Sequence, residues 1–226
     1  MSITSSTKRE RYQLIGQGTY GCVFKPSFPC YKNTNIYNNS KARKSLLVSK
    51  IFKHEQAYDE ELETMKVMNK IDKKGLFTLP LIKSCEMLLK PSYSKSVKDC
   101  KHIKMTSVRH LHETYQLIYE NGSMNVYDYI MKNYNNYDIL DYVNTFTTLI
   151  SGLVKLNKNK ICHRDIKETN IMIKNKKMYL IDFGLCVKYE DIYTYEYKYV
   201  LKHIYLYYPP EFRICYNIMK NKGNNK

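Results

Sequence analysis

The sequence predicts an α+β chain, with short strands and one amphipathic helix in the first half and a long helix with a β-hairpin in the second. Three stretches carry this. Gly16-Gln17-Gly18-Thr19-Tyr20-Gly21 runs into Cys-Val-Phe-Lys25, a β-type run, so the glycines sit in a strand-turn-strand and do not open a helix. Ile139, Leu140, Val143, Phe146, Leu149, Ile150, Leu153 and Val154 recur at helical spacing, which predicts a long helix whose apolar face is core. Ile171-Met-Ile and Met178-Tyr-Leu-Ile181 flank a polar Lys-Asn-Lys-Lys turn and predict a hairpin.

In chain order, residues 1–11 are a polar tail without an apolar targeting core, and Tyr12–Ile15 lead into the glycine turn. Backbone amides at such a turn approach phosphates closely because no Cβ intervenes. Residues 26–44 are Asn-rich and aperiodic and read as a loop. The run 46–52 reads as a strand. In it Lys50 is flanked by apolar residues, so its charge must point into a pocket, where a phosphate and a carboxylate would justify it; Lys53 is the alternative. Residues 54–72 have helical composition with Leu62, Met65, Met68 and Ile71 as the apolar stripe. A strand over 79–89, a second polar insertion over 90–104, a strand from Tyr115 running into Glu120-Asn121-Gly122, and a short helix over 126–132 follow.

The chemistry gathers in His163-Arg-Asp-Ile-Lys-Glu-Thr-Asn170 and Asp182-Phe-Gly184. Phosphoryl transfer to a hydroxyl requires a carboxylate for the hydroxyl proton, a cation for the migrating phosphoryl group, and oxygen ligands for magnesium. Asp165, Lys167 and the pair Asn170/Asp182 fill those roles in that order, because the hairpin folds Asp182 back toward the loop holding Asp165.

The ordered set of glycine turn, Lys50, His-Arg-Asp, Asn170, Asp-Phe-Gly and Pro209-Pro-Glu211 resembles the eukaryotic-type protein kinase superfamily, serine/threonine type. The phrase Gly16 to Ser27 is similar to divergent kinases of large DNA viruses with AT-rich genomes. The resemblance implies a two-lobed fold, with a small antiparallel sheet lobe over 12–120 and a mainly helical lobe over 121–226. It implies binding of ATP and Mg²⁺, with Gly16, Gln17, Gly18, Thr19, Tyr20, Gly21, Val23, Lys50, backbone groups of Glu120 and Gly122, and Met172 around the nucleotide. Glu61 matches the carboxylate that pairs with Lys50, with Glu60 and Glu63 close by, and Tyr119 stands at the gatekeeper position. His163 and Phe183 are read as packing residues beside Met65. Arg164 implies a regulatory phosphate, for which Thr194 is the candidate. Ile204 departs from the threonine that serine/threonine members carry.

The family pattern also implies further helices beyond Glu211, so the large lobe is expected to be shortened and covered by a second copy or a partner. The alternative to a protein kinase acting on protein substrates is a catalytically weak or inactive kinase-like module that binds nucleotide or a partner. The formal charge of +16 comes from 37 Lys and Arg against 21 Asp and Glu, scattered along the chain. This reads as a solvated face, with nucleic acid as a lesser expectation. No run is long enough to span a bilayer, and seven cysteines without metal-like spacing, an odd number, argue against a closed disulfide framework. A reducing, cytoplasmic setting is expected, the host cytoplasm or the virion if the source is viral.

Overall fold

The computed structural model describes residues 12–18, 20–31, 46–87, 94–101, 114–133, 135 and 138–190. They belong to two compact units, Met1–Glu63 with Pro80–Asn121, and Thr64–Leu79 with Gly122–Lys226. The sequence places all of 12–120 in one lobe; the structure assigns Thr64–Leu79 to the second unit.

The first unit is built on an antiparallel sheet of β1 (Gln13–Gly18), β2 (Gly21–Lys25), β3 (Leu47–Phe52), β4 (Leu81–Glu86) and β5 (Tyr115–Glu120), in the order β1-β2-β3-β5-β4. Register sorts the side chains. Val23 opposes Lys50 and Lys50 opposes Leu117, so these three share one face. Cys22, Phe24, Ser49, Ile51, Gln116 and Ile118 share the other. Helix α1 (Glu55–Ile71) covers the first face, where Ala57, Tyr58 and Leu62 pack with Phe52, Leu81, Leu117 and Tyr119.

The second face is covered by residues that read as loops. Phe28 is fully buried and stacks on Tyr12 at 4.3 Å between ring centroids. Val97, at the end of the short helix α2 (Ser94–Val97), and Cys100 join Tyr12, Phe28 and Met87 over Cys22, Phe24 and Ile51. These parts of the two polar insertions are therefore structural, because apolar side chains on a second sheet face need a cover. Inside the same core, Ser49 Oγ donates to Gln116 Oε1 and accepts from Phe28 N, which satisfies its buried hydroxyl.

Two disulfides staple this cover, Cys22–Cys100 with Cα atoms 6.0 Å apart and Cys30–Cys85 with Cα atoms 5.8 Å apart. The reading against a closed framework is thereby corrected. An odd count requires only that one thiol stay unpaired, and pairing is decided by Cα proximity, to which sequence spacing is blind. Among the described residues Cys162 and Cys186 take no part in a disulfide, and Cys186 Sγ donates to the His163 carbonyl at 3.7 Å.

The second unit begins inside α1, where Met65 and Met68 are buried. The turn that follows is fastened by Asp72, whose buried carboxylate accepts from the backbone N–H groups of Leu76, Phe77 and Thr78 and from Thr78 Oγ1. Strand β6 (Met124–Asn125), helix α3 (Val126–Asn133) and helix α4 (Ile139–Lys158) come next. They are followed by β7 (Ile161–Cys162), the hairpin β8 (Ile171–Lys174) and β9 (Lys177–Leu180), and β10 (Val187–Lys188). Strands β6, β8 and β9 form one sheet, and β7 pairs with β10.

Helix α4 packs on β9, with Met178 N donating to Thr148 Oγ1 at 3.0 Å. Gly152 lets Phe77 lie against the helix, since a Cβ there would stand 2.5 Å from Phe77 Cγ. The apolar face of α4 is only partly core. Leu149 and Leu156 are buried, whereas Ile139, Leu140, Val143, Ile150 and Val154 are exposed. Periodicity fixes which residues share a face, while the width of the short hairpin decides how much of that face is covered. Among the described residues no helix is long and apolar enough to cross a membrane.

Candidate active site

In the first unit, β1 pairs antiparallel with β2, with Gly18 opposite Gly21, Gln17 opposite Cys22 and Gly16 opposite Val23. Thr19 lies outside the described residues. Tyr20 is exposed at the tip, and its carbonyl accepts from Lys53 N at 2.9 Å. The glycines serve different needs. A Cβ on Gly18 would meet open space, whereas one on Gly21 would collide with the Ile51 carbonyl oxygen. Gly21 is thus required by the approach of β3, and Gly18 leaves backbone accessible. Gln17 Oε1 accepts from Lys101 N at 3.1 Å, tying the turn to the segment that carries Cys100.

Lys50 points to the α1 face, where its Nζ lies 2.5 Å from Glu61 Oε2; the two side chains are 12% and 4% exposed. Tyr119 Oη donates to Glu61 Oε1 at 2.8 Å, so both carboxylate oxygens are engaged. The Lys50 ammonium also lies over the Phe52 ring. Of the three acidic candidates, Glu61 is buried, Glu60 is exposed and bonded to Gln56, and Glu63 is exposed. Lys53 is exposed. An ion pair this buried is a poor stabilising device, because desolvation offsets its attraction. Its geometry suits a lysine held ready for a further anion.

In the second unit, the residues after β7 form a compact loop around Asp165, which is 5% exposed. Asn170 Nδ2 donates to Asp165 Oδ2 at 2.7 Å and to its backbone carbonyl at 3.0 Å. Lys167 Nζ donates to the same Oδ2 at 3.0 Å. Oδ1 of Asp165 is buried and has no hydrogen-bond partner among the described residues. A buried acceptor of that kind costs stability and calls for a donor from outside.

His163 is the pillar of the loop. Its Nδ1 accepts from Asp165 N at 3.3 Å, and its Nε2 faces the Ile181 carbonyl at 3.2 Å, which fixes the neutral tautomer with the proton on Nε2. Burial lowers its pKa below the ordinary 6.5, against the opposing pull of Asp182 and Asp165. The ring meets Phe183 edge-on at 4.8 Å, and Met65 is buried in the same unit. Ile181 N donates to the Asn170 carbonyl at 3.0 Å, so the residue before Asp182 is bonded to both His163 and Asn170. Arg164 (φ 66°) and Asp182 (φ 61°) both occupy the left-handed region, strain of the kind that collects at functional sites.

The metal expectation can be tested on these residues. Among the described residues no cluster of three or more His, Cys, Asp or Glu side chains is close enough to hold an ion. Asn170 spends its amide nitrogen on Asp165, leaving its side-chain oxygen as a ligand atom, and Asp182 supplies a carboxylate nearby in the chain path. Two oxygen ligands fit magnesium, which keeps waters and takes substrate phosphates, and do not make an all-protein cage.

Glu120 ends β5 opposite Leu47. In the second unit the Gly122 carbonyl accepts from Met124 N at 3.1 Å, and a Cβ on Gly122 would lie 2.8 Å from both Leu79 Cδ1 and Met172 Cγ. Thr194, Ile204 and Pro209-Pro-Glu211 lie outside the described residues. Sequence reasoning did not foresee the Tyr119 hydroxyl as a partner of Glu61, nor the tether from Gln17 to Lys101. The first was signalled by a polar tip on an otherwise apolar strand face; no local signal carries the second.

Residues 9–218 match the family described as protein kinase domain. Among curated proteins the chain is 40% identical over 63 residues to serine/threonine-protein kinase CAK1 of Saccharomyces cerevisiae, covering 25% of this chain and 17% of that protein. It is 45% identical over 42 residues to probable serine/threonine-protein kinase mkcD of Dictyostelium discoideum, covering 18% and 6%. It is 36% identical over 91 residues to probable serine/threonine-protein kinase dyrk2 of the same organism, covering 38% and 10%. The matched stretches are thus well under two thirds of those relatives' length.

Proposed function

We propose that this chain, which belongs to the protein kinase domain family, transfers the γ-phosphate of ATP to serine and threonine hydroxyls of proteins. Asp165 carries the reading. One oxygen of its buried carboxylate is pinned by Lys167 and Asn170, and the other is presented without a partner among the described residues. A substrate hydroxyl donating to Oδ1 would satisfy that oxygen and be oriented for attack. The hydroxyl oxygen bonds to the γ-phosphorus, the bond to the β–γ bridging oxygen breaks, ADP leaves, and the hydroxyl proton passes to Asp165. Lys167 stands close enough to Asp165 to screen charge developing on the phosphoryl group. Lys50, positioned by Glu61, supplies the cation for the other phosphates. Magnesium, held by Asn170 and Asp182, would neutralise phosphate charge when bound.

The names of the relatives and the lysine two residues after Asp165 support serine/threonine acceptors. The test is transfer from γ-labelled ATP with Mg²⁺ to a mixed protein acceptor, followed by hydrolysis and identification of the labelled amino acid. Phosphoserine or phosphothreonine, reduced strongly by Lys167→Ala, is the expected result. Phosphotyrosine alone would overturn the acceptor class.

A further inference from the structure

On the neighbouring strands β3 and β5, Lys50 stands opposite Leu117 and Val48 opposite Tyr119, so Lys50 and Tyr119 project onto the same face of the sheet, the one that α1 covers. Glu61 reaches both of them from α1, with Lys50 Nζ on its Oε2 and Tyr119 Oη on its Oε1. We propose that Tyr119 is a positioning residue: its hydroxyl fixes the plane of the Glu61 carboxylate and, through it, the place where the Lys50 ammonium meets the phosphates of ATP. The inference rests on the kinase reading, which takes those phosphates as the anion that Lys50 is held for.

The argument comes from the stiffness of the three side chains. Lysine carries its charge on a flexible four-carbon stem, and the last torsion of a glutamate is broad. A pair made of those two alone is set in distance but loose in direction, because the carboxylate can turn about its last bond and keep the lysine. Tyrosine has only two side-chain torsions, and the Tyr119 ring is packed against the cluster of Phe52, Tyr58 and Leu117. Its hydroxyl is therefore placed by packing, and by donating to Oε1 at 2.8 Å it holds the second carboxylate oxygen. A hydrogen bond to an ionised acceptor is short and strong, so anchors from two strands stop the rotation. Burial adds to this: Glu61 is 3% exposed, and water does not supply the second bond in place of the phenol. The apolar cluster asks only for the ring of Tyr119; the hydroxyl answers to the carboxylate.

The test compares the full chain with Tyr119→Phe, which keeps the ring and removes the hydroxyl, by calorimetric titration with ATP and with adenosine and by phosphoryl transfer. Affinity for ATP is expected to fall about tenfold and the KM for ATP to rise by as much, with kcat changed less than about twofold. Adenosine has no phosphate for Lys50 to meet and should bind both proteins alike. In a Lys50→Met background, which lacks the group being positioned, Tyr119→Phe should weaken ATP by less than about twofold more. Equal loss of ATP and adenosine would make the hydroxyl a matter of pocket shape and overturn the proposal, as would an effect of full size in Lys50→Met. A lower melting temperature with ATP affinity and KM unchanged would mark a bond that serves stability alone and would overturn it too. Hydroxyl-dependent ATP binding by a chain silent in transfer would sink the kinase reading and leave the role of Tyr119 standing; transfer that Tyr119→Phe leaves intact would sink that role and leave the kinase reading.

Discussion

Replacing Glu61 by glutamine keeps the volume of the side chain and removes its charge. The side chains of Lys50 and Glu61 are 12% and 4% exposed, so water cannot take over the lost interaction. Removing one partner from a buried pair costs about 3–5 kcal/mol when the remaining charge is left bare. Glutamine retains an acceptor for either Lys50 or Tyr119, which reduces the expected loss to about 2–3 kcal/mol. For a chain of this size that corresponds to a fall in melting temperature of roughly 5–10 °C. Thermal melts of Glu61→Gln beside Glu60→Gln and Glu63→Gln make the assay, because the latter two carboxylates are exposed and should shift the melt by less than about 2 °C. The same Glu61 variant should raise the KM for ATP. Replacing both partners with apolar residues, Lys50→Met with Glu61→Leu, should recover most of the stability and none of the activity. A wild-type melt for Glu61→Gln, or a larger loss from Glu60→Gln or Glu63→Gln, would refute the assignment of the pair.

Other expectations come from single contacts. Because burial depresses the His163 pKa below 6.5, the unfolded chain binds that proton more readily; stability is complete above about pH 6.5 and falls as pH drops. Urea midpoints measured across that range should slope less steeply in His163→Phe. Gly21→Ala should destabilise by about 2 kcal/mol or more, since its Cβ meets backbone at Ile51 that cannot rotate away, while Gly18→Ala should be milder; urea titration distinguishes them. Cys22 and Cys100 are separated by 78 residues, so reducing that bond should cost up to about 4 kcal/mol, read as a lower melting temperature in dithiothreitol that Cys22→Ser mimics.

What was legible in the sequence was what local pattern encodes. The glycine spacing before a β-type run, the helix over Glu55–Ile71 and the hairpin around Lys174-Asn175-Lys176-Lys177 all follow from periodicity and turn chemistry. Lys50 stood out because a lone charge amid apolar residues has few places to go. Glu61 was preferred over Glu60 and Glu63 from the resemblance alone, whereas periodicity left the three alike; the helix phase that buries Glu61 beside Lys50 is supplied by the fold. The Cys22–Cys100 and Cys30–Cys85 links join residues far apart in sequence and leave no local mark. Phe28 and Val97 were hidden for a related reason, since one buried residue in a polar segment generates no period. The stripe on α4 shows the converse: Ile139, Val143, Ile150 and Val154 share a helical face as expected, yet lie exposed, because phase does not say what covers a face.

The central claim turns on Asp165, whose Oδ1, without a partner among the described residues, is read as the acceptor for a substrate hydroxyl. Its most direct test is phosphate incorporation from Mg·ATP into a protein acceptor by purified wild-type chain and by Asp165→Asn. Asparagine keeps the shape and the contact with Lys167 while giving up the proton acceptor, so incorporation should fall by about 10²–10⁴-fold with the melting temperature held. Equal incorporation by the two proteins, or none by either while ATP still raises the melting temperature, would contradict it.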